Sequence, residues 1–365
     1  MRAVIIAGGF GTRMRPLSLS RPKPLIPVAN RPLLEYQVGI LRKAGISEIV
    51  FATNYLAEQI VEHFGDGSRF GISMSYRVEP EPMDTAGAIR YAVDGMPPKR
   101  CIVFNGDTLH DFDLSAILDY HDSVQAEVTL TLYRVNRPHP FGVVPLNAKG
   151  QVEAFIEPTK EQKLAAERGD KAEGSDLINA GLYIIEPEIV ERIPLRKCSI
   201  EREFYPGLLK SGGSVFGYEC SGYWIDIGRP SQLLKATKAL LTEELKLTSL
   251  ISGECQDKRW IGIDAQIANS ARIDPGCHIG VGCVIGENVV VTGQTTIGIG
   301  CRIGAGSILD GCILMERDTV GENCRLTRCV IDQNCRIEDY VKATEVVLGA
   351  EGIIGPWSSL GDSIL

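Results

Sequence analysis

The chain has 365 residues and a mass of 39.8 kDa, more than one compact domain usually needs, so two domains are expected. Hydrophobic residues make up 44 % and charged residues 23 %, and no stretch approaches the roughly 18 apolar residues of a membrane span, which excludes a disordered or membrane-spanning chain. With 38 basic against 46 acidic residues the net charge is -8, which argues against a nucleic-acid binder and makes any phosphate site local.

Met1 to Ala7 offers only five apolar residues before a glycine pair, too few for a secretory core, and a cytoplasmic location is expected. Ala3 to Ala7, Glu48 to Ala52, Cys101 to Asn105 and Glu127 to Tyr133 are predicted as strands. Leu33 to Ala44 and Leu56 to Phe64 have helical spacing, and so does Leu114 to His121, with Asp113 as its N-cap. This alternation predicts an α/β fold with a doubly wound, mainly parallel, Rossmann-like sheet. Ligands bind such sheets at the carboxyl ends of the strands, where the glycine-rich turn after Ala7 and the Asn105-Gly106-Asp107 turn fall. His63, His110, His121 and His139 show no nucleophile or metal pattern, and surface or capping roles are expected.

Ser231 to Leu247 is helical in pattern and bridges to a repetitive second domain. Every sixth residue from Ile261 is aliphatic: Ile267, Ile273, Ile279, Ile285, Val291, Ile297, Ile303, Leu309 and Met315, ten positions in all. The residue four further on is mostly small (Ala265, Ala271, Cys277, Cys283, Val289, Thr295, Cys301, Ser307, Ile313, Thr319). After a one-residue slip the frame resumes at Val320, Leu326, Ile331 and Ile337. A six-residue period with stacked aliphatics predicts a parallel β-helix, and the repeat resembles the left-handed hexapeptide type, hence about five coils. Gly280, Gly286, Gly298 and Gly304 are expected to supply permissive backbone at its corners. The eleven cysteines are odd in number, contain no CxxC pair and fall five times at the small position, so with His278 they read as reduced packing residues. The expected division is 1–235, a linker helix over 236–260, and a β-helix over 261–365.

The strongest local signal is Gly8-Gly9-Phe10-Gly11-Thr12-Arg13-Met14-Arg15-Pro16, directly after a predicted strand. Glycines at 8, 9 and 11 let backbone N–H groups approach a phosphate, and Arg13 adds a charge-assisted fork. The spacing fits neither GxGxxG nor the P-loop. In Arg21-Pro22-Lys23-Pro24-Leu25-Ile26-Pro27-Val28, prolines on both sides of Lys23 stiffen the backbone that aims its ammonium.

Together these two motifs resemble the sugar-1-phosphate nucleotidyltransferases. The resemblance continues in family order through Asp84-Thr85-Ala86-Gly87-Ala88-Ile89, Phe104-Asn105-Gly106-Asp107, Phe141-Gly142-Val143-Val144, Ile178-Asn179-Ala180-Gly181 and Gly222-Tyr223-Trp224-Ile225-Asp226-Ile227-Gly228. A β-helix after that domain resembles the subgroup holding mannose-1-phosphate guanylyltransferases and some glucose-1-phosphate adenylyltransferases. The resemblance implies transfer of a nucleotidyl group from a nucleoside triphosphate to a sugar 1-phosphate, releasing pyrophosphate. Two anions must be brought together, so positive charge is required. Arg13 and Lys23 match the residues that hold the triphosphate, and Asp107 and Asp226 match the two carboxylates for Mg²⁺. Ala7, Gly8, Gly9, Gly11 and Thr12 with Glu79, Asp84, Thr85 and Gly87 correspond to the nucleotide site; Gly142, Glu157 and Asn179 correspond to the sugar site. Asn179 can also be read as a turn residue before Gly181.

Three positions depart from the family pattern. Asp84 replaces the first glycine of Gly-Thr-Ala-Gly, Glu157 is followed by Pro158 with the usual lysine missing, and Arg229 replaces a threonine. Lys160 or Arg229 is the candidate for the lost sugar-phosphate contact. GTP and mannose 1-phosphate are the favoured substrates; another nucleotide, or glucose, a heptose or a cyclitol 1-phosphate, is the alternative. A non-catalytic regulatory subunit is a further alternative, weighed against the retention of Arg13, Lys23, Asp107 and Asp226. An acyltransferase in the β-helix is disfavoured, since His278 is the only histidine after residue 139. A homo-oligomer without nucleic-acid or membrane partners is expected.

Overall fold

The structure, a computed structural model, describes residues 1–251 and 253–365; position 252, inside the expected linker, lies outside the described residues. The chain divides into two compact units, Met1–Gly9 with Gln37–Trp224, and Phe10–Tyr36 with Ile225–Leu365. No helix among the described residues is long and apolar enough to cross a membrane.

The first unit is built on seven strands: β1 (Arg2–Ile6), β2 (Glu48–Thr53), β3 (Ser73–Val78), β4 (Cys101–Asn105), β5 (Val128–Asn136), β6 (Ser175–Ile185) and β7 (Val215–Glu219). Their order is β7-β5-β6-β4-β1-β2-β3, and only the two pairings of β6 are antiparallel. β1 is Val- and Ile-rich because both of its faces are covered, as expected of an inner parallel strand. The helix Asp84–Val93 lays Ala86, Ala88, Ile89 and Ala92 into one cluster with Val4, Val50 and Val103. Each fully buried valine or isoleucine of this cluster contributes about 1.5–3 kcal/mol, an alanine less. Asp113 caps Leu114–Ser123 as predicted, accepting from the Ser115 and Ala116 N–H groups.

In the second unit, among the described residues, eighteen short parallel strands from Arg259–Ile261 to Ser359–Gly361 stack six deep on three faces, the first face also carrying the antiparallel Glu254–Gln256, so the left-handed β-helix has six coils, one more than expected. The extra rungs are Ala343, Leu348, Ile354 and Leu360, beyond the point where the six-residue series fades. Each coil after Ile297 has 17 residues, because the turn leading back to the first sheet is shortened every time, as in Leu309 to Leu314 and Leu326 to Ile331. The stacked residue above Ile297 is therefore Leu314, not Met315, and the corner positions are Cys312 and Asp318, not Ile313 and Thr319. The helix predicted over Ser231 to Leu247 runs only over Pro230–Leu241, ended by Thr242 and by Glu243 at φ 64°.

The four corner glycines act differently from expectation. A Cβ on Gly280 would lie 2.7 Å from the Gly298 carbonyl carbon, and one on Gly298 1.8 Å from the Met315 oxygen. They are needed for close stacking of coils, while the left-handed backbone falls to Gly282, Gly300 and Gly306 and to non-glycines such as Asp264 and Arg317.

Candidate functional site

β1 has β4 on one side and β2 on the other, and the chain runs outward through β2 and β3 before crossing to β4. That is a topological switch point, where the carboxyl ends of strands leave a crevice. Gly8 and Asp107 leave the ends of β1 and β4, whose register pairs Ile6 with Asn105. The Gly106 N–H donates to the Ile6 oxygen at 2.8 Å, and a Cβ there would sit 2.5 Å from that oxygen. Only glycine brings the Asp107 turn this near to β1.

Beside them, Gly8 approaches Asn54 and Glu79, with a Cβ meeting Asn54 Cβ and Glu79 Oε1 at 3.2 Å each. Asn54 Nδ2 donates to the Glu79 carbonyl at 2.9 Å, and Glu79 Oε2 accepts from the Met83 N–H at 2.9 Å. Burial pushes the Glu79 carboxyl up, against that hydrogen bond. The Ala7 N–H is tied to the Ala52 oxygen. Asp84 opens the next helix at φ 59°, a left-handed conformation natural to glycine, and its Oδ1 accepts from the Thr85 N–H at 2.8 Å. Gly87 is required by packing, since a Cβ would lie 2.4 Å from the Arg196 oxygen.

Val143 bridges both Ile156 and Ile178, which draws Gly142, Glu157 and Asn179 together. Asn179 Nδ2 donates to Tyr183 Oη at 2.9 Å and to Glu201 Oε1, while its Oδ1 accepts from the Gly181 N–H at 3.0 Å. Asn179 is thus both a polar residue of this cluster and the partner of a Gly181 at φ 80°. Burial raises the Glu201 carboxyl, and Glu157 adds to the effect through its charge. Trp224 donates to the Ala180 oxygen at 2.8 Å and packs its ring against Tyr133 and Phe141. Lys160 is exposed at the start of Lys160–Arg168, a helix capped by Thr159 and Gln162 in a reciprocal box.

The second unit holds the other motif residues. Gly11 takes φ 58°, and a Cβ would come within 2.9 Å of Lys23 Cβ; its carbonyl accepts from Ser18 Oγ at 2.8 Å. Thr12 and Arg13 are exposed on the turn that follows, and an Arg13 guanidinium nitrogen passes 3.1 Å from where a Gly228 Cβ would be. Lys23 is only 8 % exposed, and its Nζ lies 3.9 Å from Asp226 Oδ1. Arg229, two residues beyond the Asp226-Ile227 pair, is exposed.

Asn54, Tyr183 and Glu201, which join these clusters, were missed by sequence reasoning. Asn54 directly follows a strand much as Asn105 ends one, which could have flagged it; Glu201 lies on the helical turn Ile200–Phe204 that leads into the helix Tyr205–Lys210, 22 residues from Asn179, with no motif around it. The histidine expectation fails at three positions. His110 is buried between Phe104 and Phe112, His121 bonds Thr129 and Glu186, and His139 bonds Asp176. Burial drives the His110 imidazole down to about 3, so it stays neutral.

Residues 2–243 match the family described as nucleotidyl transferase, and residues 256–364 match the GMPPB C-terminal domain. The chain belongs to the nucleotidyl transferase family. Among its relatives, a mannose-1-phosphate guanylyltransferase of Mycobacterium tuberculosis is 33 % identical, covering 89 % of this chain and 83 % of that one. The mannose-1-phosphate guanylyltransferase 1 of Arabidopsis thaliana is 31 % identical over 99 % of this chain and 89 % of its own. Among solved structures, HddC from Yersinia pseudotuberculosis complexed with GMP-PN aligns with TM-score 0.54 and 27 % identity, covering 65 % of this chain and 97 % of that one. The protein is an enzyme, a nucleotidyltransferase of nucleotide-sugar formation. Enzymes of this family use a divalent metal. Among the described residues no group of three or more His, Cys, Asp or Glu side chains converges. Asp107 and Asp226, each in its own unit, are both partly exposed.

Proposed function

We propose that this enzyme transfers guanylyl from GTP to mannose 1-phosphate, giving GDP-mannose and pyrophosphate. The observation that carries the reading is the crevice at the β1/β4 switch point, floored by glycines and ending in Asp107, in a chain whose guanylyltransferase relatives match it over nearly their whole length. In the reaction a phosphate oxygen of the sugar attacks the α-phosphorus in line as the bond to pyrophosphate breaks. Arg13 and Lys23 offset the negative charge of the triphosphate and of the departing pyrophosphate. Lys23 is suited to this because its backbone is pinned by prolines and its stem is buried, so little freedom is lost when it meets phosphate. Asp107 and Asp226 would hold Mg²⁺, which neutralises phosphate charge when bound.

Ala7, Gly8, Gly9, Gly11 and Thr12 lie along the nucleotide in this reading, with Glu79 turned to the base or ribose and Asp84, Thr85 and Gly87 on the adjoining loop. Gly142, Glu157 and Asn179 receive the sugar hydroxyls, and Glu201 supports Asn179. Lys160 or Arg229 contacts the sugar phosphate. We take 1–235 as catalytic, 236–260 as connector and 261–365 as the β-helix, through which the enzyme self-associates in the cytoplasm. The test is a matrix of nucleoside triphosphates against sugar 1-phosphates with Mg²⁺, reading pyrophosphate and the mass of the nucleotide sugar. GTP with mannose 1-phosphate should dominate and be lost in Asp107→Asn; a different dominant pair, or no product from any pair, refutes the assignment.

A further inference from the structure

The segment that carries Lys23 is bolted to the β-helix. Residues 21–29 are all buried, and the outward side chains of the first β-helix sheet, His278, Thr296, Ile313 and Val330, are buried too. The corresponding positions of the other two sheets, such as Arg302, Thr319, Arg336, Arg272, Arg325 and Lys342, are exposed. Polar contacts from residues 20–30 land two coils apart along that face: Asn30 Nδ2 donates to the Ile297 oxygen at 2.8 Å and Ser20 Oγ to Asp332 Oδ2 at 2.8 Å, with Glu316 on the coil between. Arg21 makes the densest set. Its guanidinium grips Glu316 through Nη2–Oε2 at 2.8 Å and Nη1–Oε1 at 3.3 Å, reaches Gln333 Oε1 at 2.6 Å and lies 3.4 Å from Asp332 Oδ1. Glu316 and Gln333 are one 17-residue coil apart, so the planar fork spans two coils at once.

Arg21 is two residues from Lys23, separated by Pro22 at φ -65°, and Pro24 follows. With both neighbours locked, fixing the Arg21 guanidinium fixes where the Lys23 stem leaves the backbone. We propose that Arg21 is a positioning residue for nucleotidyl transfer, and that Glu316, Asp332 and Gln333 of the β-helix aim Lys23 through it. The β-helix then contributes to the chemical step as well as to assembly. The proposal rests on the reading that Lys23 meets the triphosphate.

Its test is steady-state kinetics of the full-length enzyme carrying Arg21→Lys, Glu316→Gln or Gln333→Leu, with Lys23→Ala as reference. Arg21→Lys keeps the charge but loses the fork, and Glu316→Gln keeps the shape but loses the ion pair. Each is expected to lower kcat about 10- to 100-fold, the loss expected from slight misplacement of a catalytic group. The KM for the sugar 1-phosphate should stay within about twofold, a split that general loosening of the fold would not produce. The double variant Arg21→Lys/Glu316→Gln should fall no further than its worse single, because both remove one contact. Circular dichroism establishes folding; if the Arg21 variant does not fold, Glu316→Gln and Gln333→Leu carry the test. Folded variants with the wild-type kcat, or with additive losses shared equally by both substrates, overturn the proposal while leaving the transferase reading intact. Wild-type enzyme that makes no nucleotide sugar, or Lys23→Ala with full kcat, overturns the reading and this proposal with it.

Discussion

Asp318 makes a sharp test of how the β-helix interior is balanced. It occupies the corner two residues before the rung Val320, is 1 % exposed, and its Oδ1 accepts from the Cys335 N–H at 2.8 Å. Its Oδ2 is buried with no hydrogen-bond partner among the described residues. Burial, with added charge from Asp332 and Glu316, pushes its carboxyl up to about 8. The groups facing it are Arg21, Glu316 and Asp332: burial also raises Asp332 and works against ionisation of Glu316, but the hydrogen bond and charge of Arg21, with the Arg317 charge, together hold Glu316 low. An unfolded aspartate releases its proton near pH 4, roughly. The folded chain therefore holds a proton that the unfolded chain has lost, and stability declines as pH rises through the window up to about 8. One such group sets a slope of at most about 1.4 kcal/mol per pH unit. Asp318→Asn removes the titration with little change of shape. Urea unfolding followed by circular dichroism between pH 5 and 9 should show the variant gaining on wild type by roughly 1 kcal/mol per unit up to pH 8 and levelling off above it. Parallel curves for the two proteins would refute the reasoning.

Other expectations follow from single contacts. Gly106→Ala forces a Cβ against the Ile6 oxygen, 2.5 Å away, and should cost about 1–3 kcal/mol in denaturant unfolding while product formation falls at least about tenfold. Lys23→Met, matched in length and without charge, should weaken GTP binding by about tenfold or more in calorimetry if Lys23 holds the triphosphate as proposed; unchanged binding would count against that role. Glu201→Ala withdraws the acceptor that holds Asn179; the KM for the sugar 1-phosphate should rise about tenfold with that for GTP unchanged, and equal rises in both would count against the sugar assignment.

The catalytic fold could be read from sequence wherever a local pattern sufficed. β1 and β4 are short apolar runs buried on both faces, and Asp113 announces its helix by the chemistry of a cap. Gly8, Gly106 and Asp107 follow because strand ends are where parallel sheets bind ligands. What stayed hidden was long-range. Arg21 meets Glu316 across 295 positions, and Glu201 meets Asn179 from a turn without a motif, so nothing within reach of either residue announces the contact.

The β-helix hides information in another way. Ile313, Leu314 and Met315 are consecutive and all apolar, so a six-residue count passes through the shortened turn without a visible break. Only the pairing of Ile297 with Leu314 fixes which side of the turn lost a residue. That shift by one exchanges Thr319 for Asp318 at the corner, and with it a harmless hydroxyl for a buried carboxyl. Hydrophobic periodicity tolerates the error because it scores the rungs, while the energetic consequence falls on the corner. The frame is therefore tested better at Asp318 than at any aliphatic rung, because a misplaced methyl is cheap and a misplaced charge is not.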